Sequence, residues 1–139
     1  MTYQTLHITR DGAVVHLTLN RPTVRNAFNE VLVAELTAWA TEAASASDIR
    51  CVVLAGAGTV FCAGADLAWM ARVSAFSHQD NLKDAQAAAE MFAALDRLPM
   101  ALIGRVHGAA FGGGAGLASI CDIVVAESDT VFGFTETKL

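Results

Sequence analysis

The chain has 139 residues, of which 54% are hydrophobic and 17% are charged, and its formal net charge is −5. A typical soluble domain is roughly 25% charged, so this composition excludes a disordered chain and favours one folded domain. Polar residues interrupt every apolar stretch before it reaches the ~18 residues of a membrane span, which excludes a transmembrane helix. The few basic residues are scattered, so nucleic-acid binding through a basic face is not expected.

The first seven residues lack the basic and apolar regions of a secretory signal, and the default location is therefore the cytoplasm. Three widely spaced cysteines, Cys51, Cys62 and Cys121, indicate reduced, buried thiols. The four histidines show no metal-ligand spacing, and no metal site is expected.

The first predicted elements are two strands over residues 3–10 and 13–19, joined by Asp11-Gly12, a pair that favours a type I′ hairpin turn. Pro22 ends the second strand because proline cannot donate to a strand ladder. Apolar residues then recur at helical spacing and predict an amphipathic helix over residues 29–45. The unbroken apolar run of residues 49–55 predicts a strand buried on both faces. This order indicates an α/β fold.

The rest of the chain continues the alternation of strands and helices without a linker. Strands are predicted over residues 60–62, 100–106 and 123–126, and helices over residues 79–98 and 117–121. A further helix begins at Leu67, where Asp66 is the expected N-cap. Asp122 is expected to fix the turn between the last helix and strand.

Two loops of glycine and alanine, residues 62–67 and 112–114, each follow an apolar strand and precede a helix. The first N–H groups of a helix have no intrahelical partner, so such loops offer donors to an anion and could together form an oxyanion hole. The alternative for either loop alone is that small residues let a helix pack closely on a sheet. Neither loop fits the phosphate-binding P-loop, and the dinucleotide-binding spacing does not fit either.

Motifs at residues 19–27, 61–67, 107–114 and 121–123 resemble those of the enoyl-CoA hydratase/isomerase (crotonase) superfamily, in that family's order and spacing. The resemblance implies an α/β spiral of ββα units, with the C-terminal helical part missing from this chain. Residues 1–139 would then be an incomplete N-terminal core domain. It also implies an acyl-CoA thioester as substrate, no separate cofactor, and a homotrimer or dimer of trimers when complete.

The same resemblance assigns the site residues. The oxyanion donors to the thioester carbonyl would be the N–H groups of Ala65 and Gly113, and Arg25 would lie near the phosphates of CoA. The remaining contacts to CoA would come from the backbone around the first glycine loop: Ala63, Gly64, Ala65, Asp66 and Leu67. The alternatives are a solvated surface arginine for Arg25 and a purely capping role for Asp66.

Hydratases of this family generally hold two glutamates, and the chain departs from that pattern. The first position is Gly116, and the second matches Glu136. Glu136 is thus the single acid/base candidate, and a carboxylate in an apolar pocket suits the task because desolvation raises its pKa. The alternative for Glu136 is an exposed loop side chain.

The predicted function is that of an enoyl-CoA hydratase-type lyase, which adds water to a branched or carboxylated 2-enoyl-CoA. Residues 111–123 and 134–139 look most like the methylglutaconyl-CoA and carboxygeranoyl-CoA hydratase branch. Two alternatives stay open: an enoyl-CoA isomerase that uses one glutamate, and a non-catalytic acyl-CoA-binding member. The apolar faces of the helices that contain Leu32 and Leu117 are expected to lack cover in this chain.

Overall fold

The structure is a computed structural model that describes residues 2–135. The elements, in chain order, are β1 (Leu6–Asp11), β2 (Val14–Leu19), a 3-10 helix (Pro22–Val24), α1 (Glu30–Ala43), β3 (Cys51–Gly56), α2 (Leu67–Val73), α3 (His78–Asp96), β4 (Ala101–Val106), β5 (Ala109–Phe111), α4 (Gly113–Ser119), β6 (Ile123–Ala126) and β7 (Val131–Gly133). A five-stranded sheet has the strand order β1-β2-β3-β4-β6, and a two-stranded sheet pairs β5 with β7.

The chain enters the sheet through an antiparallel hairpin, in which Leu6 pairs with Leu19 and Asp11 with Val14. The two central turn residues are therefore Gly12 and Ala13, and only Gly12 has a positive φ, of 56°. A type I′ turn needs positive φ at both central positions. The predicted hairpin is confirmed, but its predicted turn type is wrong.

The remaining strands of the large sheet, β2, β3, β4 and β6, are parallel. Parallel neighbours require crossover connections, and here α1, the α2–α3 pair and α4 supply them. Asn29 starts α1 by accepting a hydrogen bond from the amide of Leu32 at 3.0 Å. Helices were predicted over residues 29–45 and 79–98, and α1 and α3 confirm both predictions.

One apolar core joins the sheet to the helices. Leu32 and Leu36 of α1 and Leu117 of α4 have no exposed surface, and Met91 of α3 belongs to the same cluster. The expectation that the apolar faces of α1 and α4 lack cover is therefore wrong, because the sheet and α3 cover them. Seven of the eleven exposed large apolar side chains in residues 2–135 lie on α2, β6 and β7, with Leu67 73% exposed.

Other details also differ from the sequence prediction, and two are as expected. Residues 60–62 form a single bridge between Cys62 and Ala110 rather than a strand, and α4 begins four residues before the predicted start. The small sheet of β5 and β7 was not predicted. Asp66 caps α2, as predicted. Asp122 follows α4 and accepts a hydrogen bond from the amide of Leu102 at 2.7 Å, which fixes the predicted turn.

No helix within residues 2–135 is both long and apolar enough to cross a membrane.

Candidate active site

Loop A, residues 21–27, begins with the 3-10 helix and contains two consecutive residues with left-handed backbone angles, Arg25 (φ 54°) and Asn26 (φ 55°). Asparagine tolerates this conformation better than most residues. The fully buried side chain of Asn26 accepts a hydrogen bond from the amide of Arg21 at 2.9 Å. Its Nδ2 lies 2.7–3.2 Å from three carbonyl oxygens of the segment after β3: Ala57, Val60 and Phe61. One side chain thus fixes loop A to the segment that leads into the next loop.

Loop B, residues 63–66, runs beside Phe28, the residue that follows loop A. The amide of Phe28 donates to the carbonyl of Gly64 at 2.7 Å, and the amide of Asp66 donates to the carbonyl of Phe28 at 2.8 Å. These two bonds make a parallel bridge between Phe28 and Ala65. Because both bonds lie on one side of the chain, the N–H of Ala65 faces the other side.

Loop C, residues 111–113, leads from β5 into α4. Gly112 has φ 50° and ψ −118°, angles that favour glycine, and its amide donates to the carbonyl of Gly133 at 2.8 Å. Gly113 is the first residue of α4, and its N–H therefore has no intrahelical acceptor. A side chain is excluded at Gly113, because a Cβ there would lie 2.3 Å from the ring of Phe28.

Loops B and C meet at Gly64. A Cβ on Gly64 would lie 2.9 Å from the carbonyl oxygen of Phe111 and 3.6 Å from the amide nitrogen of Gly113, and the φ of Gly64 is 90°. Within residues 2–135 the N–H groups of Ala65 and Gly113 have no hydrogen-bond acceptor. The structure therefore places two unused backbone donors on adjacent loops, and their role as oxyanion donors stays a prediction.

A cavity of about 590 Å³ opens beside these loops. Its lining includes six of the predicted site residues: Arg25, Ala63, Gly64, Ala65, Asp66 and Leu67. Gly112 also lines the cavity, but Gly113 does not. The amide nitrogen of Gly113 nevertheless lies close to Gly64, which is part of the lining. The mixture of backbone and apolar groups suits a ligand with an apolar part and a carbonyl group.

Asp66 occupies the end of loop B with both carboxylate oxygens engaged. Oδ1 accepts from the amides of Ala68 (2.9 Å) and Trp69 (3.3 Å), and Oδ2 pairs with Arg21 at 2.9 Å. Burial alone raises the pKa of this carboxyl, but the hydrogen bonds from Arg21 and the two amides outweigh it, so that the pKa lies below its ordinary value. Asp66 is therefore an ionised capping and pairing group, which makes it a poor proton donor.

Arg25 lines the cavity with an exposed side chain, which has no hydrogen-bonding partner within residues 2–135. A guanidinium without a partner is available to an anionic ligand such as a phosphate. The same exposed position also fits the alternative, a surface arginine that contacts only solvent. The assignment of Arg25 to the phosphates of CoA stays a prediction.

Glu136, the predicted acid/base group, lies outside the described residues. The preceding residue, Thr135, lines the cavity. Gly116, where the resemblance implies another glutamate, faces the ring of Phe92: a Cβ on Gly116 would lie 3.1 Å and 3.2 Å from two ring carbons. An aromatic ring thus flanks the position at which the resemblance implies a first carboxylate.

Beside the loops, the side chain of Cys62 is fully buried. Burial raises the pKa of the Cys62 thiol to about 11, and its Sγ donates to the carbonyl of Asn26 at 3.2 Å. A thiol with this pKa stays protonated near neutral pH. Residues 2–135 contain no group of three or more His, Cys, Asp or Glu residues that could hold a metal ion.

Comparison with known proteins agrees with this geometry. The sequence profile of the family "Enoyl-CoA hydratase/isomerase" matches residues 9–139. The chain belongs to the enoyl-CoA hydratase/isomerase family.

The family's solved structures share the fold. An enoyl-CoA hydratase from Shewanella pealeana superposes with a TM-score of 0.93 at 34% identity, covering 97% of this chain and 51% of that chain. The structure named "Pseudomonas aeruginosa AtuE" gives a TM-score of 0.94 at 35% identity, covering 97% and 52%. The predicted crotonase-like α/β fold is confirmed.

Curated members of the family also match this chain in sequence. A Mycobacterium tuberculosis protein named "Probable enoyl-CoA hydratase echA6" is 41% identical over 131 residues, which are 94% of this chain and 50% of that protein. The chain spans about half the length of the curated relatives it matches.

Sequence reasoning assigned no role to Arg21 and Asn26, although both lie in the first family motif. The structure shows that Arg21 ties loop A to loop B across 45 residues, through Asp66. Asn26 ties loop A to the segment before loop B across 35 residues, through Phe61. Local spacing carries no information on such contacts. The available signal was limited to Asn26, because asparagine is favoured in turns and tolerates left-handed backbone angles.

Proposed function

We propose that the complete protein is an enoyl-CoA hydratase-type lyase that adds water to a 2-enoyl-CoA. The observation that supports this most strongly is the pair of unused amides of Ala65 and Gly113 on adjacent loops beside a cavity. When water adds to the β-carbon of an enoyl thioester, negative charge moves to the carbonyl oxygen and forms an enolate. Two backbone donors stabilise that charge without titrating, and losing one such donor typically costs ~10²–10³ in rate.

The proton transfers fall to Glu136 in this proposal. Its carboxylate would take a proton from the attacking water as the new carbon–oxygen bond forms. The same proton would then pass to the α-carbon and convert the enolate into the 3-hydroxyacyl thioester. With Gly116 at the other family position, one carboxylate would perform both steps.

The test compares Glu136→Gln with Glu127→Gln in the full-length protein. Both changes remove one carboxylate, but Glu127 lies on the exposed segment after β6, away from the cavity. Chromatography would follow formation of the 3-hydroxyacyl-CoA from a 2-enoyl-CoA. We expect a loss of at least about 10² in turnover for Glu136→Gln and little change for Glu127→Gln. Full turnover by the Glu136 variant would contradict the role of Glu136.

An enoyl-CoA isomerase is the second candidate, favoured by the Phe92 ring at Gly116. Isomerisation moves a double bond from the 3- to the 2-position and needs only one carboxylate to carry a proton between Cγ and Cα. Separate incubation with a 3-enoyl-CoA distinguishes the two reactions, because an isomerase yields the 2-enoyl product. Binding of acyl-CoA without turnover of either substrate would favour the non-catalytic alternative.

The acyl group in this proposal is branched or carboxylated, as in the methylglutaconyl-CoA and carboxygeranoyl-CoA branch. Comparing kcat/KM for a carboxylated and an unbranched 2-enoyl-CoA would test it, with a preference for the carboxylated compound as the expected result. The homotrimer or dimer of trimers and the cytoplasmic location stay predictions.

A further inference from the structure

The ion pair between Arg21 and Asp66 is the most buried one in the described part of the chain. Its side chains are 17% and 11% exposed, whereas those of the three other pairs are 42–67% exposed. Exposed pairs contribute little to stability, and a buried pair is costly to form unless its geometry is good. The location of this pair therefore requires an explanation.

Arg21 contacts both sides of the bridge that orients Ala65. One guanidinium nitrogen donates to the carbonyl of Ala27, next to Phe28, and another pairs with Asp66, next to Ala65. Phe28 and Ala65 are the two bridged residues. The planar guanidinium, with donors at fixed angles, thus spans the two chain segments that set the direction of the Ala65 amide.

The pair also has an electrostatic consequence. Asp66 is ionised, lines the cavity and directly follows Ala65. An unpaired carboxylate there would oppose negative charge on a ligand oxygen beside the Ala65 amide. Arg21 places a positive charge 2.9 Å from that carboxylate.

We propose that Arg21 is a positioning residue of the oxyanion site, which fixes the Ala65 amide and offsets the charge of Asp66 so that an enolate is stabilised there. This inference rests on the proposed function, because it requires an acyl-CoA thioester in the cavity. It adds an element that backbone amides alone do not provide: the neutralisation of a carboxylate that caps a helix at the edge of the site.

The test uses acetoacetyl-CoA, a thioester whose α-proton is acidic and whose enolate has its own ultraviolet absorption. Binding to the full-length protein would be measured by calorimetry, and the ratio of bound enolate to bound keto form by absorbance at one fixed pH. The variants are Arg21→Met, Asp66→Asn and the double variant. Arg10→Met is the matched control, because it removes an exposed ion pair with Asp48 at the hairpin.

We expect Arg21→Met to lower the enolate ratio by at least about tenfold, since the loss of a single oxyanion donor costs ~10²–10³ in rate. Affinity for the keto form should change much less. The double variant should recover part of the ratio, because asparagine still caps α2 and no uncompensated charge remains, whereas the bond from Arg21 to the Ala27 carbonyl stays lost. Arg10→Met should match the wild type.

A purely structural role for the pair predicts a different pattern: affinity and enolate ratio fall together in Arg21→Met, and the double variant is no better than the single one. That pattern would overturn the proposal. If Arg21→Met does not fold, Asp66→Asn provides the test. If Arg21 acts by offsetting the charge of Asp66, the ratio of enolate to keto form in Asp66→Asn should be at least that of the wild type. If the pair is purely structural, the ratio should be lower. Absence of acyl-CoA binding by the wild type would instead overturn the proposed function, and this inference with it.

Discussion

The two loops that meet at the candidate oxyanion site are held by different means. Loop B is held by polar side chains in addition to its backbone bridge to Phe28, since Asp66 pairs with Arg21 and the buried amide group of Asn26 fixes the segment that leads into loop B. Loop C and the first turn of α4 are instead held by close packing, which is possible because the glycines there have no side chain. A Cβ on Gly114 would lie 2.3 Å from the carbonyl oxygen of Cys62.

This difference predicts how each loop responds to change. A loop held by charge and hydrogen bonds should be sensitive to pH and to the loss of one partner. A loop held by close contact between backbones should be sensitive to a single added methyl group and insensitive to pH. The site therefore combines two amides that are held differently. The position of the Ala65 amide depends on an ion pair, and that of the Gly113 amide is fixed by close packing.

The largest expected effect is that of Gly114→Ala. The added methyl group meets a backbone oxygen, which cannot move without displacing the bridge between Cys62 and Ala110. We expect a loss of about 3 kcal/mol or more in the free energy of unfolding, at the upper end for overpacking. Denaturant unfolding of wild type and variant at neutral pH measures it, and a loss below about 1 kcal/mol would show that loop C is loosely packed.

Low pH should lower the stability that ionised Asp66 gives to loop B, and Asp66→Asn should remove this dependence on pH. The pKa of folded Asp66 lies below its ordinary value of 3.8, so its ionised form contributes stability above that value, which is lost as pH falls through the folded pKa. At neutral pH we expect the variant to be less stable by about 1.5–3 kcal/mol, the range for hydrogen bonds to a charged group. The difference should shrink as pH falls below 3.8.

Urea unfolding of both proteins at a series of pH values from neutral to acid measures this difference. Glu35 also has a lowered pKa: burial alone would raise it, but the hydrogen bonds from Gln4 and Thr5 outweigh that effect. Glu35 is present in both proteins, so that its contribution cancels. Asp48→Asn, which breaks an exposed ion pair, is the control and should change stability by less than about 1 kcal/mol. A difference for Asp66→Asn that stays constant with pH would refute the charged character of loop B.

Loop B and loop C were not equally predictable from the sequence. The N-cap role of Asp66 follows from its position before an apolar helical stretch, and the glycine motif marked loop C. The contacts that hold loop B are long-range, from Arg21 and Asn26, and no local pattern specifies them. The early start of α4 was missed because glycine disfavours helices, whereas tertiary packing against Cys62 and Phe28 requires glycine there.

The smallest expected effect is that of Gly116→Ala, on the same helix as Gly114. A Cβ at Gly116 would lie 3.1 Å and 3.2 Å from the edge of the Phe92 ring, which packs edge-to-face on Phe28 with centroids 6.0 Å apart. A ring edge can shift by a few tenths of an ångström, and alanine favours a helix over glycine by up to about 1 kcal/mol. The two effects oppose each other, so we expect a change within about 1 kcal/mol of zero in denaturant unfolding. Equal losses for Gly114→Ala and Gly116→Ala would mean that the Phe92 ring yields to an added methyl group no more than the backbone of Cys62 does.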